Sequence, residues 1–203
     1  LTWSDSGLEL HAHRLQVMYT LGRWDEVAAE VARFSGPPSI GAARMRATTA
    51  LVAVAKGDFA EAERQVEDLR AQWQVDGQLA VAAAAAGAAL AMWKGEPEKA
   101  LERVREAFEW IRQLPLLVLA GIRIGALGLA AAADRAEAAR LISDADTVAA
   151  AVAEGEEMFK RVAEAAQNGV PRGNTLGPEA VAWLARAEAE RSRLLGRTDP
   201  KLW

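Results

Sequence analysis

The sequence predicts an all-α fold, a right-handed superhelix of about five antiparallel helix pairs with the last pair truncated. Three observations point there. Alanine supplies much of a 51% hydrophobic content in which only 6% of residues are aromatic, and alanine has the best helix propensity because it loses no side-chain entropy. A motif of glycine, charged residue, bulky or rigid residue and small residue recurs as LGRWDEV (21–27), KGDFAEA (56–62) and KGEPEKA (94–100). Its glycines lie 35 residues apart from Gly22 to Gly57 and 38 from Gly57 to Gly95, near the period of about 34 of one helix–turn–helix repeat unit.

The helices follow in order. Glycine tolerates the left-handed backbone that closes a helix, so each motif glycine marks the turn inside a pair. Pair one is then 7–34, with helices 7–21 and 24–34, and the breaker Ser35-Gly36-Pro37-Pro38-Ser39 follows it. Pair two is 40–74 (helices 40–56 and 59–74) and pair three 78–112 (helices 78–94 and 97–112). Asp25, Asp58 and Glu96 near the second-helix starts complement the helix dipole, and Pro97 suits a first turn that needs no N–H. Pair four, 115–168, has no glycine at the expected place. Its first helix runs unusually long, 116–142, to a turn at Ser143-Asp144-Ala145-Asp146, and its partner runs 147–168. A loop of Gly, Pro and Asn at 169–178 precedes pair five, 179–203, whose helix 179–195 ends at Gly196 before Pro200 opens a helix that is cut short. Val27, Ala62 and Ala100 take the position where a larger side chain would push a pair apart. Leu51, Val54, Phe59, Val66, Leu69, Leu90, Leu101, Val104 and Phe108 supply apolar core.

Bulk properties narrow the function. Lys and Arg number 24 against 28 Asp and Glu, a net charge of −4 without a basic block, so no nucleic-acid surface is expected in these residues. The absence of cysteine excludes disulfides and thiolate metal sites and agrees with a cytoplasmic location. Starting at Leu1 and stopping at Asp199-Pro200-Lys201-Leu202-Trp203, the chain reads as one helical-repeat domain, 1–203, excised from a larger protein. No membrane segment is expected: Leu79–Trp93 is too short to span a bilayer, and Leu114–Ala133 carries Arg123 near its middle.

Catalytic and metal chemistry find no foothold in the sequence. His11 and His13 are the only histidines, and residues two apart on a helix point to different faces, so an HxH pair there does not chelate. Glu61 with Glu63 and Glu156 with Glu157 read as solvated helix faces beside Arg64 and Lys160. No activated nucleophile, no GxxxxGK phosphate loop and no basic recognition helix is present. No catalytic residue, cofactor or metal is assigned. Arg172 and Asn174 in the 169–178 loop read as parts of a connector. Of the seven tryptophans, Trp3, Trp24, Trp73, Trp93, Trp110, Trp183 and Trp203, most should pack between helices. In a stack of this kind the first helices line a concave face, and Tyr19, Arg44, Leu51, Met92 and Trp93 are the candidate lining, because aromatic, Met and Arg side chains suit partner capture.

The turns GRWDEV, GDFAEA and GEPEKA resemble those of the tetratricopeptide repeat, with alanine replacing the large residues usual in its first helix. Further on, DADTVAAAVAEGEEMFKRV (144–162), the RGN loop and GPEAVAWLARAEAERSRLLGRTDPKLW (177–203) resemble the helical C-terminal half of large actinobacterial transcriptional activators of the LuxR type, related to the maltose activator. That resemblance implies a P-loop ATPase before this region and a helix-turn-helix reader after it, neither of which lies in the present residues. It implies a non-catalytic, tetratricopeptide-like region that senses a signal or holds partner domains. The partner would be a protein or peptide, other domains of the same chain, or a small-molecule effector. The alternative is a stand-alone repeat adaptor that captures a protein or peptide on its concave face.

Overall fold

A computed structural model of the chain describes residues 5–34, 39–70, 72–73, 76–169, 175–197 and 199–203. The fold is all-α. Nine α-helices lie among those residues: α1 Asp5–Thr20, α2 Trp24–Ala32, α3 Ile40–Lys56, α4 Phe59–Arg70, α5 Gly77–Trp93, α6 Pro97–Gln113, α7 Ala120–Leu141, α8 Ala145–Asn168 and α9 Pro178–Leu194. Single 3-10 turns occupy Pro115–Leu117 and Pro200–Leu202.

The motif glycines do what the sequence asks of them. Gly22, Gly57, Gly95 and Gly196 all have φ between +70° and +78°, and each donates from one or two residues past a helix end. At Gly57 the glycine N–H reaches the carbonyl of Val54 and the next N–H, Asp58, reaches that of Ala53. This is the two-bond Schellman closure, which satisfies helix carbonyls left without partners. The same pair of bonds recurs at Gly22, Gly95 and Gly196. It recurs again between α7 and α8, where Ser143 donates to Arg140 and Asp144 to Ala139. There the left-handed position is held by serine, at φ +58°. Asp144 then caps α8, its carboxylate accepting from the Thr147 N–H at 3.0 Å and from the Thr147 hydroxyl at 2.6 Å.

Some boundaries differ from the sequence expectation. The long helix expected at 116–142 is a 3-10 turn followed by α7 starting at Ala120. Leu114, the residue before Pro115, sits at φ −127°, ψ 91°, the extended backbone that a following proline favours. Pro200 opens one 3-10 turn rather than a helix, with Asp199 accepting from the Lys201 N–H at 2.9 Å. The second helix of pair two ends at Arg70 rather than 74. Most of the breaker at 35–39 and the Arg172 and Asn174 connector lie outside the described residues. Ser39 is described and caps α3 through the Ala42 N–H at 3.2 Å.

The chain divides into two compact units, 1–90 and 91–203, with the division falling inside α5. In the first, Leu8, Leu15, Met18, Val27, Met45 and Val52 form a core that half-buries Tyr19, Trp24, Val31 and Phe34. A second cluster joins Ala53, Val54, Ala62 and Leu90 to Phe59 and Ala89. Val27 and Ala62 are fully buried, as close approach at those positions requires.

In the second unit α7 packs against α6, α8 and α9. Ala100, like its counterparts Val27 and Ala62, is fully buried. Along α7, Gly121, Gly125, Gly128 and Ala132 recur on one face and meet Ala165, Val162, Met158 and Gly155 of α8 in antiparallel order. A Cβ on Gly125 would lie 2.3 Å from Val162 Cγ2 and 3.3 Å from the Met158 carbonyl. The missing side chains let two backbones approach, and α8 fills the space. Glu154 of α8 also gathers Arg105 of α6 and, at 3.3 Å, Arg135 of α7.

Candidate functional site

A cleft of about 370 Å³ opens in the first unit between α2, α3 and α4. It arises from three helix stripes. α2 is short and contributes Ala28, Val31 and Ala32, a wall without charge. α3 is mostly apolar, but Arg46, Thr49 and Lys56 recur on one side of it, with Val52 and Ala53 between them forming the floor; its other polar residues, Arg44 and Thr48, do not line the cleft. α4 and the residue before it add Asp58, Glu61, Arg64, Gln65 and Asp68, with Leu69 at one end. Helical spacing of three and four residues puts each set on one face.

The rim is an interlocked polar network. Arg64 forks onto Glu61 at 2.6 and 2.9 Å and reaches Asp68 at 2.9 Å. Gln65 donates to Glu61 at 2.6 Å, and the Thr49 hydroxyl lies 2.8 Å from Gln65 Oε1. Arg46 donates to Gln72 at 3.3 Å, and Lys56 pairs with Asp25 of α2. The hydrogen bond from Arg64, followed by that from Gln65, holds the Glu61 carboxyl below the usual carboxylate range, and the same contact raises Arg64. Both stay charged at neutral pH. The cleft therefore offers an apolar floor framed by fixed charges of both signs, a form suited to holding a chain segment. Among the described residues no group of three or more His, Cys, Asp or Glu is placed to hold a metal ion. His11 stands 3.5 Å from Glu30, while His13 bonds through Nδ1 to the Glu9 carbonyl at 2.8 Å.

None of the five residues singled out as concave lining borders this cleft. Tyr19 is half-buried and stacked on Trp24 at 6.4 Å, and the Trp24 indole donates to its carbonyl at 3.1 Å. Leu51 is 2% exposed and belongs to the core. Arg44 joins three elements, reaching Glu9 of α1 at 2.9 Å and Asp76, the residue before α5, at 2.7 Å. Asp76 in turn accepts from the Leu79 N–H at 2.7 Å. Burial opposes charge on Arg44, yet the hydrogen bonds and attraction of Asp76 and Glu9 together outweigh it and raise its pKa. Tyr19, Arg44 and Leu51 lie in the first unit, whereas half-buried Met92 and Trp93, 70% exposed, lie in the second. The cleft had one signal in the sequence: polar residues at 46, 49 and 56, spaced to share one face of a mostly apolar helix.

Two expectations about class receive a direct answer from the described residues: the structure is helical throughout, and no helix is long and apolar enough to cross a membrane. No family model, no curated protein and no solved structure matches the chain.

Proposed function

We propose that this chain is a non-catalytic, tetratricopeptide-like helical region that binds a protein or peptide segment, acting in the cytoplasm as the sensing or scaffolding arm of a bacterial LuxR-type transcriptional regulator. The cleft between α2, α3 and α4 carries the binding part of this reading, because an apolar floor with a neutralised, hydrogen-bonded rim is built to hold a segment rather than to transform one. The regulatory part rests on the resemblance of 144–162 and 177–203. In such a protein, binding acts on an attached ATPase only if the ligand has different affinity for two arrangements.

Selection of peptides on the full chain from a displayed random library tests the binding part. Ala28 and Ala32 are exposed on the cleft wall, so Ala32→Trp fills the cleft without entering the core. Selected peptides should bind the parent chain and lose at least about tenfold in affinity on Ala32→Trp. Selected peptides unaffected by that variant would count against the cleft.

The second reading, a stand-alone adaptor, is favoured by one observation: the cleft is complete within residues 28–69 and needs no other domain. The coding sequence on both sides of this region separates the two. A P-loop upstream with a helix-turn-helix downstream supports the regulator, and a stop codon soon after Trp203 with no ATPase upstream leaves the adaptor.

A further inference from the structure

We propose that α9 is a strap held on the α7–α8 hairpin mainly by charged groups, a helix built to undock and re-dock while the hairpin beneath it stays folded. Its two halves are seated differently. Residues 178–186 include no buried residue. There half-buried Trp183 is met by Arg123 of α7 and by Arg186, whose guanidinium carbons lie 5.4 and 5.2 Å from the ring centroid. The second half buries Ala187, Ala189, Glu190 and Leu194, so a single large apolar side chain is fully enclosed. Leu194 enters a notch over Gly155 of α8, where a Cβ would stand 2.2 Å from its Cδ2.

Leu184 is half-buried as well, and ions add further ties. Arg193 reaches Asp134 at 2.6 Å and Glu137 at 2.8 Å on α7, Glu190 of its own helix at 2.9 Å, and the Ala130 carbonyl at 3.1 Å. Arg191 forks onto Glu156 of α8 with two bonds of 2.7 Å and lies 4.4 Å from the Phe159 ring centroid. Arg140, in the last turn of α7, donates to the Leu194 carbonyl at the end of α9.

This chemistry sets what opening costs. Charged groups that separate regain hydration that nearly balances the attraction they lose, whereas apolar surface regains nothing. Undocking α9 returns Arg191, Arg193, Asp134, Glu137 and Glu156 to water and uncovers Leu194 with two alanines, together with the half-buried Trp183 and Leu184. Undocking α8 would instead open the whole seam of Gly121, Gly125, Gly128 and Ala132 against Ala165, Val162, Met158 and Gly155. The two helices therefore belong to different tiers of stability, and sub-global opening begins at α9. Losing Arg193 alone is another matter, because buried Glu190 and neighbouring Asp134 are then left facing each other with less compensation.

Hydrogen exchange of the full chain, read by mass spectrometry helix by helix, tests the strap. In the parent chain, amides of 187–194 should exchange by an opening that leaves α7 and α8 protected. Arg193→Met should accelerate exchange in α9 by about a hundredfold and leave α8 unchanged, since removing one member of a buried ionic set strands the others. Glu190→Met together with Arg193→Met should restore protection, because an apolar pair at the same site needs no counter-charge. If Arg193→Met does not fold, Glu137→Gln, at a side chain 45% exposed, should give the same selective acceleration at smaller amplitude. Exchange of α7, α8 and α9 in one common step in the parent chain overturns the strap. So does a variant that accelerates all three alike or leaves α9 unaffected.

Discussion

Ser143 occupies a backbone position that its four glycine counterparts fill without strain. A left-handed conformation costs an L-residue roughly 1–2 kcal/mol, and Ser143 adopts φ +58°. Ser143→Gly should therefore raise stability by up to about 1 kcal/mol, seen as a higher midpoint in urea unfolding. Gly57→Ala should lower it by about the same amount for the mirrored reason, since the added Cβ would meet nothing within 4 Å and only the backbone at φ +78° objects. Trp93 poses a different residue-scale question. At 70% exposure its removal has little core to disturb, so Trp93→Ala should keep the helical circular dichroism and the unfolding midpoint within about 0.5 kcal/mol of the parent. A cooperative loss of helicity would place Trp93 in packing.

At the scale of the element, α7 and α8 are held at close range by what α7 lacks. Gly125→Val would push branched carbons into Val162 and the Met158 carbonyl, both belonging to the opposing helix. The cost should be about 3 kcal/mol or more, because neither backbone nor a branched side chain can step aside cheaply; urea unfolding of the variant measures it. The start of α8 adds a pH dependence. Hydrogen bonds from the Thr147 hydroxyl and then its N–H hold the Asp144 carboxyl below its usual pKa. A lowered folded-state value means the cap's contribution is complete above the unfolded value near 4 and is lost as pH falls through the folded one. The Thr147 amide should accordingly exchange faster, relative to mid-helix amides of α8, below about pH 4. Asp144→Asn should flatten that trend.

For the whole molecule, charge is the property that composition alone settles. A net charge of −4 is distributed through intrahelical and interhelical pairs such as Arg64–Glu61, Arg112–Glu109 and Arg191–Glu156. The sequence has no basic block, and little counterion release is then expected to drive association with a phosphate backbone. The chain should leave the mobility of duplex DNA unchanged at physiological salt in a gel-shift titration. A retarded band that weakens steeply with added salt would reveal a basic surface hidden from the sequence.

What the sequence determined by itself is local: which segments are helical, and where they stop. Alanine content sets propensity, and Gly22, Gly57, Gly95 and Gly196 end helices because the left-handed turn is a property of one residue and its immediate neighbours. Even the turn without a glycine was legible from the capping residues at 143–146. The start of α7 was not, because the apolar run at 116–119 does not distinguish a 3-10 turn from the helix that follows it. Tertiary structure alone decided which side chains are spoken for. Arg44 and Tyr19 look like capture residues in one dimension, but Glu9 and Asp76 lie 35 and 32 positions from Arg44, and no local pattern announces such a pairing. The glycines of α7, read along the chain as interruptions, become a packing face only when α8 is laid against them. The cleft likewise needs α2, α3 and α4 brought together, since each contributes only a stripe whose meaning depends on the other two.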